Sequence, residues 1–122
     1  MSRRVLVADD EPNIVAALEF LLRRSGYEVE TARNGDEALA MIERSPPDLV
    51  LLDVMMPLKD GHAVCQRIRD SEKSRHVKVI MLTAKGRDAD VNKGLAHGAD
   101  LYVTKPFSTR ELMESINGLL AG

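Results

Sequence analysis

Short apolar runs alternate with helix-patterned stretches along the whole chain, and this alternation most restricts the fold. The runs are RVLVA (4–8), YEVETA (27–32), DLVLLD (48–53), VKVIML (77–82) and LYVT (101–104); helical patterning begins near 12, 35, 61, 87 and 109. A strand followed by a helix, five times over, predicts a parallel sheet with helices on both faces. LVLL and VIML are continuously apolar, as in strands covered on both sides, whereas YEVET alternates, as at an edge. The second strand is thus expected at an edge, with the third and fourth inside.

This ranking fits an α/β, flavodoxin-like (βα)5 doubly wound sheet of order 2-1-3-4-5. The helical stretches carry their own periodicity. Ile14, Ala17, Leu18, Leu21 and Leu22 predict one core stripe, and Leu112, Ile116, Leu119 and Leu120 another. Asn34 with Glu37, and Ser108 with Glu111, have capping-box spacing, and the prolines of SPPD stop the second helix. No linker or repeat interrupts residues 1–122, so one domain is expected.

Composition narrows the class. With 44% hydrophobic and 30% charged residues the chain can bury a core without disulfides, and its single cysteine, Cys65, cannot form an internal one. That predicts a reducing, cytoplasmic setting. A net charge of −2 gives no footprint for nucleic acid, and no apolar run approaches the ~20 residues of a membrane span.

Ligands of such sheets bind beyond the C-terminal ends of the strands, where the strand order reverses. The ends here read ADDE, LLD, MLTAK and YVTKPF. Asp9, Asp10, Asp53, Thr83 and Lys105 are therefore expected in one crevice. Three close carboxylates repel, and a hard divalent cation such as Mg²⁺ relieves this while accepting phosphate oxygens. A carboxylate can then attack phosphorus, with the Lys105 ammonium and Thr83 hydroxyl on the equatorial oxygens. Singly, each residue reads as a helix-start acid, a loop acid or a surface lysine. The set together favours chemistry.

With VADDE, LLDVMMPLKDG, MLTA and YVTKPF in order, the chain resembles the receiver domain of bacterial two-component response regulators over roughly residues 3 to 120. The strand order is also that of chemotaxis receivers, so it rests partly on this resemblance. The resemblance implies that Asp53 accepts a phosphoryl group from a phosphohistidine of a histidine kinase or phosphotransfer protein. It implies Mg²⁺ (or Mn²⁺) on Asp9, Asp10, Asp53 and the Met55 backbone carbonyl. It implies a switch pair, Thr83 and Tyr102, and a cis Lys105–Pro106 peptide. Gly61 would give the backbone freedom at the turn after Pro57. The responding face would be the fourth helix, fifth strand and fifth helix, which allows a phosphorylation-dependent dimer. The chain ends at LLAG, so a stand-alone regulator and an excised module are both open, acting on a downstream protein or through an output domain.

The resemblance also implies that the positions two past Asp53 and two past Thr83 border the phosphoryl group. Met55 there cannot orient an attacking water and Lys85 adds attraction to the phosphoryl oxygens, which together predict slow autodephosphorylation. Phe20 and Ala16 fall outside the first helix's core stripe and, with Asn13 and Ala17, form a candidate kinase-docking face. Cys65 is expected as a small core residue, and His62, His76 and His97 as scattered surface residues. Among rivals, a phosphatase of the haloacid-dehalogenase type needs a second acid two residues after Asp53, and Met55 stands there. A flavodoxin relative needs a phosphate loop where ADDEPN stands. A degenerate receiver serving only for interaction conflicts with the intact acidic set.

Overall fold

The computed structural model describes residues 3–56, 58, 60–84 and 98–121. In chain order the elements are β1 (Arg4–Ala8), α1 (Pro12–Arg24), β2 (Glu28–Ala32), α2 (Gly35–Arg44), β3 (Leu49–Asp53), α3 (Gly61–Asp70), β4 (Lys78–Ala84), β5 (Leu101–Lys105) and α4 (Thr109–Leu120). The helix expected near 87, and with it Lys85 and His97, lies outside the described residues, as does Pro57.

All strand pairings are parallel, and the order is β2-β1-β3-β4-β5, the flavodoxin-like arrangement. All five residues of β3 are buried, which matches its continuously apolar sequence. β2 stands at one edge and β5 at the other. Strand alternation feeds two cores. Val5, Val7, Leu49, Leu51, Ile80 and Leu82 pack under α1 and α4. Leu6, Ala8, Val50, Leu52, Val79 and Met81 pack under α2 and α3. Fully burying one such side chain is worth about 1.5–3 kcal/mol, so register along β3 is strongly fixed.

Local chemistry explains the helix limits. Asn34 accepts from the Glu37 amide at 2.8 Å, Asp60 from Ala63 at 2.9 Å and Ser108 from Glu111 at 3.2 Å. The first box is not fully reciprocal, because the Glu37 carboxylate reaches the Arg33 amide (3.3 Å) rather than that of Asn34. α2 stops at Arg44, before Pro46 and Pro47. At the far end of the sheet Arg69 bonds the Val77 carbonyl (2.6 Å), the Gly98 carbonyl (2.8 Å) and Asp100 (2.9 Å), fixing the entry to β5.

Two expectations about packing need correction. In α1 only Leu18 and Leu22 are buried, and Ala17 is exposed. A short methyl at the border of the stripe does not reach the sheet. His62 is 5% exposed, not a surface residue, because it lies on the first turn of α3 facing the sheet. Cys65 is buried and His76 exposed, as expected.

Candidate functional site

β1 and β3 are hydrogen-bonded neighbours with Ala8 opposite Leu52, so Asp9 and Asp53 leave the sheet side by side. Oxygens of Asp9, Asp10 and Asp53 all lie within 4.8 Å of one another. Asp9 and Asp53 are buried and Asp10 is exposed. Asp9 Oδ1 accepts from the Glu11 amide (2.9 Å), and Asp53 Oδ1 from the Met55 amide (3.1 Å). Burial first, and then the Asp9 charge, push the Asp53 carboxyl up to about 6. The Met55 amide and Lys105 pull the other way, and a hydrogen bond with Asp10 adds to the rise. A set of hard oxygens, two of its carboxylates buried, that repel in this way suits a divalent cation.

Lys105, at the end of β5, reaches across β4 and β3. Its Nζ lies 2.9 Å from Asp9, 2.9 Å from Glu11 and 3.6 Å from Asp53. Burial disfavours the ammonium, but hydrogen bonds to Glu11 and Asp9 and the charge of Asp53 outweigh it and leave the Lys105 pKa raised. Thr83 lies in β4, one residue past Leu82, which pairs with Asp53. Its hydroxyl is buried and has no hydrogen-bond partner among the described residues. A buried hydroxyl left unpaired costs about 1–3 kcal/mol, so an acceptor oxygen on a ligand within its reach would be favoured.

Alternation divides these residues between the faces of the sheet. Asp9, Asp53 and Lys105 continue the rows Val5–Val7, Leu49–Leu51 and Leu101–Val103, on the side of α1 and α4. Thr83 continues Val79–Met81, and Tyr102 packs into the same α2–α3 core. The Tyr102 hydroxyl is 3.2 Å from His62 Nδ1. Lys105–Pro106 is cis. Gly61 has a different reason from the one expected. It shows no positive φ, but a Cβ there would stand 2.5 Å from the Asp53 carbonyl oxygen. Only glycine lets the start of α3 sit so close to the strand that carries Asp53.

On α1, Asn13, Ala16, Ala17 and Phe20 are all exposed, Phe20 at 62%. Beside them a hollow of about 260 Å³ runs along Asn13, Ala17, Lys105, Pro106 and Phe107. Met55 is 56% exposed beside the site, while Met56 is buried.

Comparison with known proteins places this geometry. The response regulator receiver domain family matches residues 5–117. The chain belongs to that family. A putative response regulator from Chloroflexus aurantiacus J-10-fl is 35% identical, with a TM-score of 0.94 and 100% of both chains covered. Chemotaxis response regulator CheY4 of Vibrio cholerae is 31% identical, with a TM-score of 0.92, over 98% of this chain and 100% of that one. The receiver domain of sensor histidine kinase PA1611 from Pseudomonas aeruginosa PAO1, with a magnesium ion coordinated in its active site cleft, is 30% identical, with a TM-score of 0.91 and 100% of both chains covered. The receiver fold thus presents an acidic pocket at its strand ends. No helix among the described residues is long and apolar enough to cross a membrane.

Two residues near this receiver's site escaped sequence reasoning. Glu11 shares Lys105 with Asp9, and its place in VADDE was the available signal. His62 meets Tyr102 across 40 residues of chain, for which no local pattern exists.

Proposed function

We propose that this receiver is a phosphorylatable switch in which Asp53 accepts a phosphoryl group from the phosphohistidine of a histidine kinase or phosphotransfer protein. The observation that carries the reading is the three carboxylates within 4.8 Å, with Lys105 bridging Asp9 and Asp53. Asp53 Oδ2 is the attacking atom. Its new bond to phosphorus forms as the P–N bond breaks and the histidine partner departs. Asp9, Asp10, Asp53 and the Met55 carbonyl would hold Mg²⁺ or Mn²⁺. When bound, the ion offsets the charge shared by carboxylate and phosphoryl oxygens. Lys105 neutralises a phosphoryl oxygen as a point charge, and the Thr83 hydroxyl, which has no partner among the described residues, donates to another.

Thr83 drawn toward the phosphoryl group makes room for Tyr102 to settle inward. That reshapes the face made by β5, α4 and the helix expected near 87, where a downstream partner or second copy reads the state. Asn13, Ala16, Ala17 and Phe20 are the docking face for the phosphodonor protein, and the adjoining hollow leads from them toward Lys105. A cytoplasmic location follows from this partnership.

Incubation with acetyl phosphate and Mg²⁺, read by intact mass, tests the reading. The unaltered protein is expected to gain one phosphoryl group and Asp53→Asn none. An equal adduct on both proteins refutes it.

A further inference from the structure

We propose that His62 is a positioning residue that holds the Tyr102 ring inward before any phosphorylation and so sets the resting poise of the switch. The inference rests on Tyr102 acting as the switch residue and deepens that reading. His62 is 5% exposed, and its Nδ1 lies 3.2 Å from the Tyr102 hydroxyl. The two rings lie at 25° to each other with centroids 6.2 Å apart. Tyr102 packs against the core under α2 and α3, so its hydroxyl points into the body of the domain, toward a buried imidazole. In either tautomer the imidazole Nδ1 can pair with this hydroxyl, as acceptor or as donor, and a hydrophobic side chain of similar size cannot.

The place of His62 in the chain makes it more than a packing residue. It follows Gly61, whose amide donates to the Val54 carbonyl at 2.9 Å and whose Cα side abuts the Asp53 carbonyl. Asp60 caps the same turn. The first turn of α3 is therefore fastened to the backbone at Val54, next to the phosphoacceptor, on one side and to the switch tyrosine on the other. Thr83 lies on β4 two residues past Met81, the register partner of Tyr102. His62 holds the ring from the helix layer. A hydrogen bond in the unphosphorylated protein raises the inward population, so phosphorylation has a smaller gap to close.

The chain contains two tyrosines, Tyr27 and Tyr102, so 3-fluorotyrosine labelling with Tyr27→Phe isolates the ¹⁹F resonances of Tyr102, whose inward and outward components give a ratio. Without phosphodonor, His62→Leu is expected to move the Tyr102 ratio about 3- to 10-fold toward the outward ring, the effect of losing one neutral hydrogen bond. His62→Asn places Oδ1 near the position of Nδ1 and is expected to restore the ratio. A space-filling role predicts the reverse order, Leu preserving the ratio and Asn losing it. That order, or no shift in either variant, overturns the proposal. Should His62→Leu fail to fold, the ¹⁵N signals of the His62 ring in Tyr102→Phe decide. A displaced Nδ1 signal supports the tether, and an unmoved one overturns it. Failure of acetyl phosphate to label the unaltered protein would sink the phosphoacceptor reading alone, since the ¹⁹F ratio is measured without phosphodonor.

Discussion

Between roughly pH 4 and 6 the metal-free protein holds a proton on Asp53 that its unfolded chain has released, since the folded group is pushed up to about 6 from 3.8. The folded state binds more protons in that window, so stability falls as pH rises through it. Asp53→Asn removes the repulsion. The variant is expected to be about 1–3 kcal/mol more stable than the unaltered protein at pH 7.5 without metal, with the gap closing toward pH 4. Urea denaturation at the two pH values measures this, and a gap of the same size at both would contradict it. Met55 is the other residue whose chemistry predicts a rate. Its thioether cannot orient an attacking water, and its exposed side chain stands beside the carboxylate that its own amide bonds. Met55→Asn is expected to speed decay of the phosphorylated protein, followed by intact mass after removal of donor. Unchanged or slower decay counts against a shading role.

At the scale of elements, what was legible is what short-range pattern controls. LVLL and VIML announced inner strands because burial on both faces leaves no polar position. Asn34 and Ser108 announced helix starts because a cap acts within three residues. The inward limit of α1 was not legible, since Ala17 shares the spacing of the stripe while its methyl is too short to make the contact. The same helix presents Phe20 to solvent at 62%, and an exposed aromatic anchor on a helix is the kind of residue on which docking concentrates. Phe20→Ala is expected to slow phosphotransfer from the cognate phosphohistidine protein by roughly tenfold, the scale of one interface anchor. Labelling by acetyl phosphate, which needs no docking, should keep its rate. Equal slowing of both reactions would place Phe20 in the fold rather than the interface.

Across the whole molecule, the proposed reactive set and the proposed switch pair follow opposite faces of one sheet. Asp9, Asp53 and Lys105 follow the rows under α1 and α4, and Thr83 and Tyr102 those under α2 and α3. Strand alternation contains that division, so it was legible in principle. The contact of His62 with Tyr102 was not, because it depends on where α3 lands on the sheet. On the proposed function a signal from Asp53 crosses between faces, and Thr83 is the proposed carrier, one position past the strand partner of Asp53 and without a competing hydrogen bond among the described residues. Thr83→Ala should therefore separate the two events. With acetyl phosphate and Mg²⁺ the variant is expected to gain the adduct on Asp53, at a reduced rate. It should lose most of the change in hydrogen exchange that the unaltered protein shows over β5 and α4. Asp53→Asn should show neither adduct nor change. If Thr83→Ala kept the full exchange response, the coupling would have to run through the first turn of α3, where Gly61 meets Asp53 and His62 meets Tyr102.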